Sequence, residues 1–210
     1  LSVSRILDYS IYDTTEYFTY KLVISLKASS CCYYQQCTFC THHGSGTYIE
    51  YLITELVGSI KQSRARRVFL VDDMIHKKRL LELAAAFKPL NITWMCQLKP
   101  DNAFDKQTFQ TLYDSGLRLV IWGVESGNDR ILQLMKKGTT VKTSKQVLKR
   151  SKEVGITNVL YIMFGFPTET KEEFLDTINF LESNKEYVDL ISPAVFGLQE
   201  GSPMMEHPSK

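Results

Sequence analysis

Val68-Phe69-Leu70-Val71-Asp72-Asp73 is a short, uninterrupted apolar run that stops on two carboxylates, and residues 78–87 follow with apolar side chains at helical spacing as far as Pro89. A run of this length without alternation reads as a strand covered on both faces. Proline ends the helix because it lacks an N–H and its ring crowds the preceding turn. The same strand-then-helix unit recurs on either side. Upstream, residues 21–28 read as a buried strand, a cysteine-rich loop follows, and residues 48–64 place Ile49, Leu52, Ile53, Leu56, Val57 and Ile60 at helical spacing, with Thr47 as N-cap. Downstream come strands at 92–97, 119–124, 158–164 and 188–195. Helices are expected at 105–114, 129–135, 144–154 and 171–183, two of them closed by Gly116 and Gly155.

Six such units predict an α/β fold with parallel pairing, right-handed crossovers and helices on the outside. They are too few for a closed eight-stranded barrel, which leaves an open part-barrel or a doubly wound sheet. In either, function collects where the strands end. Four groups sit at such ends: the cysteine loop, Asp72-Asp73, Glu125-Ser126 and Gly165-Phe166-Pro167.

The chain has 210 residues, 44% hydrophobic and 23% charged, which suits one domain with a sizeable core. A net charge of +2 creates no strong field, so nucleic acid is not indicated as a partner. No apolar stretch approaches the ~20 residues a membrane helix needs. The cysteine count is 5, an odd number, and we find no secretory leader, so a reducing compartment, the cytoplasm, is expected rather than a disulfide framework. The start at Leu1 and the polar end at 201–210 suggest a segment of something longer. We expect an irregular extension over 1–19, one core domain over 20–200 and a tail over 201–210.

Cys32, Cys37 and Cys40 lie in Cys31-Cys32-Tyr33-Tyr34-Gln35-Gln36-Cys37-Thr38-Phe39-Cys40 with no fourth cysteine nearby. A closed structural site fills all its positions with protein ligands, whereas a reactive one keeps a position open. Three readings fit the spacing. A [4Fe–4S] cluster would take three thiolates and leave one iron for another ligand. A zinc site would be completed by His42 or His43. A redox pair would use Cys37 and Cys40 alone.

Together with Phe69-Leu70-Val71-Asp72-Asp73, Gly123-Val124-Glu125-Ser126-Gly127, Met135-Lys136-Lys137-Gly138 and Phe164-Gly165-Phe166-Pro167-Thr168-Glu169-Thr170, the cysteine loop resembles the core of radical S-adenosylmethionine (radical SAM) enzymes. The resemblance spans essentially all six units. It implies a partial (β/α)6 TIM-like barrel, with Cys32, Cys37 and Cys40 as ligands of a [4Fe–4S] cluster and SAM chelating the open iron. One electron then cleaves SAM, and the resulting 5′-deoxyadenosyl radical abstracts hydrogen from a substrate. The usual family loop has three residues between its first two cysteines; here there are four, Tyr33 to Gln36, which leaves Cys31 as a rival to the preferred Cys32. That longer spacing resembles a subset of cobalamin-binding members, with cobalamin held by a domain outside this segment.

By the same resemblance Phe39 lies near the adenine, and Asp72 and Asp73 near the SAM amine. Glu125 and Ser126 meet the ribose hydroxyls or the methionine end, and Gly165 and Pro167 the adenine. The plainer expectations are loop packing for Phe39, helix capping for Asp73, and solvation for Asp72. Ser126 could cap the next helix, and Glu169 could join a capping arrangement with Thr168 or Thr170. Tyr33 and Tyr34 either wall the cluster from water or pack the loop. Lys99 and Lys136-Lys137 could meet an anionic substrate but read more simply as solvated lysines; His76 has no assignment and Cys96 reads as core.

The resemblance implies an enzyme that draws electrons from a reductant such as a flavodoxin or ferredoxin and acts on a small molecule or peptide, with no membrane partner. The narrower candidates are a cobalamin-dependent methyltransferase or peptide-modifying enzyme, and a tRNA methylthiotransferase. The competing class is a metal-binding or electron-transfer module that does not turn SAM over.

Overall fold

The computed structural model describes residues 6–13, 17–18, 21–42 and 46–207. His43, the alternative zinc ligand, lies outside them. The strands are β1 (Ile24–Leu26), β2 (Ser29–Ser30), β3 (Ile49–Glu50), β4 (Arg67–Leu70), β5 (Thr93–Leu98), β6 (Leu117–Glu125), β7 (Thr157–Phe164) and β8 (Leu190–Val195). The helices are α1 (Ile53–Ser63), α2 (Lys77–Phe87), α3 (Lys106–Asp114), α4 (Asp129–Leu134), α5 (Val141–Glu153), α6 (Lys171–Ser183) and α7 (Pro203–Glu206).

Six strands form one parallel sheet in the order β1-β4-β5-β6-β7-β8. Strand order follows chain order, as a singly wound part-barrel requires, and a doubly wound order is excluded. Among the described residues β1 and β8 do not pair, so the sheet stays open. Val68, Leu70, Trp94, Cys96, Leu98, Val120, Trp122 and Leu160 face the helices in the buried core. Asp105, Asn128, Thr140 and Thr170 cap α3, α4, α5 and α6 by accepting backbone N–H groups.

Two local expectations fail at the start of α1. The helix expected from residue 48 begins at Ile53, because Ile49 and Glu50 pair antiparallel with Ser30 and Ser29 instead; Thr47 therefore caps nothing, and the N-cap position is Leu52 without a side-chain bond. The β2–β3 ribbon brackets the cysteine loop. At the far end, residues 203–206 are helical, and the Met204 N–H donates to the Thr38 carbonyl at 3.1 Å, so this stretch packs on the cysteine loop. No helix among the described residues is long and apolar enough to cross a membrane.

Candidate functional site

Cys32, Cys37 and Cys40 line one pocket at the C-terminal edge of the sheet, together with Phe39, Asp73 and Glu125. Cys31 is not part of its wall; it sits in the left-handed region at φ 57°, beside Gly46. The loop is tied down from outside: Thr38 N–H donates to Met135 O at 3.0 Å and its hydroxyl to Leu134 O at 2.9 Å, both at the end of α4. Phe39 packs against the small cluster of Ile131, Met135 and Phe166 while lining the pocket, so its packing and pocket readings both hold.

The two aspartates diverge. Asp72 is fully buried, accepting from Ala28 N at 2.8 Å, Ser29 N at 2.6 Å and the Ser29 hydroxyl at 2.6 Å. It is neither solvated nor aimed at the pocket; it locks the base of the β2–β3 ribbon to the end of β4. Burial pushes its carboxyl up, against the lowering effect of these donors. Asp73 faces the pocket, with Lys27 Nζ at 3.3 Å and His42 Nε2 at 3.2 Å. It caps no helix: the cap of α2 is His76, whose Nδ1 accepts from Arg79 N while its Nε2 meets Glu50 at 2.9 Å. Tyr33 stacks edge-on against His76, anchoring the loop to this corner.

Glu125 and Ser126 also part. A bulge at the end of β6 puts Glu125 at φ 67° with its carboxylate in the pocket wall, where Lys137 Nζ stands 2.6 Å away. Backbone irregularities of this kind re-aim side chains at sites. Lys137 is the opposite of a solvated lysine. Burial works to lower its ammonium, but the Glu125 carboxylate and the Cys37 thiol outweigh it, and the net shift is upward. A Cβ on Gly123 would come within 2.8 Å of Lys137 Nζ and 2.9 Å of Glu125 Oε1, so the pair packs directly over this glycine. Ser126 is fully buried against Thr177 and accepts from Asn128 N; Asn128, not Ser126, caps α4.

Gly165 sits at φ 74° past β7, its N–H donating to Glu169 Oε2 at 2.6 Å, and Pro167 is exposed; neither lines the cysteine pocket. Glu169 is not the capping partner either, since the capping box belongs to Thr170 and Glu173. Cys96 is core as expected.

Tyr34 lines the pocket, as one of its two sequence readings had it, whereas Lys99 and Lys137, read more simply as solvated, are buried in the same wall. The signal available was position: Lys99 follows β5 directly, at the same edge as Asp73 and Glu125. Burial pushes the Cys37 thiol up to about 11, with Lys137 opposing, and raises Cys40 as well. A cationic metal centre that binds thiolates reverses that preference. Among the described residues, no group of three or more His, Cys, Asp or Glu gathers around a single-ion position. Three soft thiols on one pocket wall fit the donor set of an iron–sulfur cluster that leaves one iron open.

The sequence model of the radical SAM superfamily matches residues 28–181. This chain belongs to that superfamily. The match runs from the base of the cysteine loop into the last turn of α6, taking in every strand of the six-stranded sheet except β1 and β8. The radical SAM chain is 29% identical over 154 residues to an uncharacterized methyltransferase of Pyrococcus horikoshii, covering 69% of this chain and 33% of that protein. It is 28% identical over 133 residues to the tRNA-2-methylthio-N(6)-dimethylallyladenosine synthase of Thermotoga petrophila, covering 61% and 29%. It thus spans a third or less of the length of the curated relatives it matches. Among solved structures it superposes on the radical SAM methyltransferase TsrM of Kitasatospora setae, solved with cobalamin and a [4Fe–4S] cluster bound, with TM-score 0.74 and 17% identity over 88% of this chain and 38% of that one. The cobalamin-dependent radical enzyme OxsB gives 0.68 and 16%, over 89% and 29%. At such identities the likeness is one of fold: the open parallel part-barrel.

Proposed function

We propose that this chain is the cluster- and SAM-binding core of a radical SAM enzyme of the cobalamin-dependent kind, a methyltransferase or peptide-modifying enzyme whose cobalamin domain lies outside the segment. The observation that carries the reading is the convergence of Cys32, Cys37 and Cys40 with Asp73 and Glu125 on one pocket wall at the sheet's C-terminal edge. When bound, the cluster and SAM supply the one-electron chemistry that yields a 5′-deoxyadenosyl radical for hydrogen abstraction.

The chain's residues hold and orient. Cys32, Cys37 and Cys40 provide the three thiolates, and Asp73 accepts the methionyl ammonium of SAM among Lys27 and His42. Glu125, steadied by Lys137, faces the ribose or methionyl end, and Phe39 offers the adenine an apolar surface. Gly165 and Pro167 border the adenine from the end of β7. Asp72 and Ser126, whose polar atoms are spent on Ser29 and Thr177, position the loop and the β6 turn rather than touch SAM. The reductant is a flavodoxin or ferredoxin, the compartment the cytoplasm, and the substrate a small molecule or peptide. A second reading, a tRNA methylthiotransferase, has the identity to the Thermotoga synthase in its favour.

The test is anaerobic reconstitution with iron and sulfide, followed by electron paramagnetic resonance of the reduced protein with and without SAM. The expected result is about four irons per chain, as a [4Fe–4S] centre requires, a spectrum altered by SAM, and formation of 5′-deoxyadenosine. Cys31→Ala retains the iron, whereas Cys32→Ala loses it. Stoichiometric zinc without iron uptake, or a spectrum indifferent to SAM with no cleavage, overturns the reading.

A further inference from the structure

Most ionic groups around the pocket are matched. Lys137 is paired with Glu125 at 2.6 Å, and Asp73 is flanked by Lys27 and His42 at 3.3 and 3.2 Å. Lys99 is not matched. Only 4% exposed, it shares the pocket wall with Cys32 and Cys37, and its ammonium forms no ion pair among the described residues. Its Nζ donates to the Gly138 carbonyl at 2.9 Å and lies 4.3 Å over the Tyr34 ring.

That arrangement is built. Tyr34 anchors its hydroxyl on the Lys136 carbonyl at 2.9 Å, closing the ring over the lysine. The ring fits because residue 138 has no side chain: a Cβ there would fall 2.1 Å from the Tyr34 oxygen. A carbonyl and an aromatic face are weak compensation for an ammonium removed from water, and such a group is costly to keep without an anion. Burial accordingly pushes the Lys99 ammonium down, with Asp101 and the thiols working the other way.

We propose that Lys99 is the counter-charge of the metal centre: its ammonium offsets the negative charge of the cluster held by Cys32, Cys37 and Cys40, and so raises the potential at which that cluster accepts an electron. The inference rests on the cluster reading above. The step is one electron from the external flavodoxin- or ferredoxin-type reductant to the cluster, which gains one negative charge; no proton or bond changes hands. Cluster potentials depend on net charge and on exposure to solvent. A cation inside the protein stabilises the more negative, reduced form more than the oxidised one, and burial keeps water from screening it. Lys137 supplies no comparable excess, because Glu125 cancels it.

The test is a redox titration of the reconstituted, SAM-free protein monitored by electron paramagnetic resonance, on the unsubstituted chain, Lys99→Met, Lys99→Arg and Lys136→Met. Lys99→Met shifts the midpoint to more negative potential with iron content unchanged, Lys99→Arg stays close to the unsubstituted value, and Lys136→Met, on an exposed side chain, leaves it unmoved. An unchanged midpoint in Lys99→Met overturns the proposal. If that variant holds too little iron to titrate, Lys99→Gln, which can still donate towards Gly138, carries the test with the same two outcomes. Failure of the cluster reading looks different: the unsubstituted chain takes up no cluster at all.

Discussion

Lys137 Nζ stands 2.6 Å from Glu125 Oε1, with side chains only 8% and 11% exposed. Removing one member of such a pair leaves the other as an uncompensated buried charge, a loss of about 3–5 kcal/mol. Lys137→Met and Glu125→Gln are each expected to lower the chemical denaturation midpoint by a corresponding amount. The double variant should lose less than the sum of the singles, because neither charge is then stranded. A double variant that loses the full sum would show that the two side chains act independently.

Asp72 and Asp73 are neighbours with opposite duties. Asp72→Asn replaces an acceptor of three protein hydrogens by an amide that offers one oxygen, leaving buried donors unmet at about 1–3 kcal/mol. Because those donors belong to the base of the cysteine loop, iron uptake should fall with stability. Asp73→Asn breaks partly exposed pairs worth about 0–1 kcal/mol. It should leave the unfolding midpoint nearly unchanged while weakening the response of the cluster spectrum to SAM.

Gly138 faces the Tyr34 hydroxyl at φ 65°. Gly138→Ala adds a side chain both in a left-handed backbone and 2.1 Å from that oxygen, so it is expected to cost more than the roughly 1 kcal/mol of backbone strain alone. Combining it with Tyr34→Ala should recover the steric part. Thermal unfolding of the four combinations separates the two contributions, and equal losses with and without the tyrosine would refute the contact.

Arg130 and Glu173 join α4 to α6, and with Thr170 they hold the Glu173 carboxyl at about 2, below the ordinary 4.5. A depressed carboxyl contributes stability that is complete above its unfolded value and disappears as pH falls towards its folded value. Glu173→Gln should therefore lower thermal stability at neutral pH and flatten its decline between about pH 4.5 and 2. A parallel decline in both proteins would exclude this group as a contributor.

The alternation of elements was legible because it is local. β5, β7 and α6 come from periodicity and stop signals within a few residues, and they fall within a residue or so of the expected bounds. The β2–β3 ribbon was not legible. Two-residue strands carry no period, and the apolar spacing of Ile49 and Leu52 with the true helix residues extended α1 backwards, although both side chains are exposed. Lys137 was read as solvated for a related reason: in Lys136-Lys137 nothing local separates the exposed lysine from the buried one.

From its amino acids alone this protein is committed to parallel β–α units, to three closely spaced cysteines after the first strand, and to polar residues at the strand ends, since each of these is written in spacing. Which neighbour serves the pocket was decided only by the tertiary structure. Val68 and Leu70 sit in the buried core and Asp72 turns to the base of the β2–β3 ribbon while Asp73 points to the pocket, and a strand apolar on both faces holds no alternation from which to read that choice. The pairing of Glu125 with Lys137, and the burial of Lys99 under Tyr34, arise where separate loops meet, and contacts between loops leave no mark in the spacing of either one.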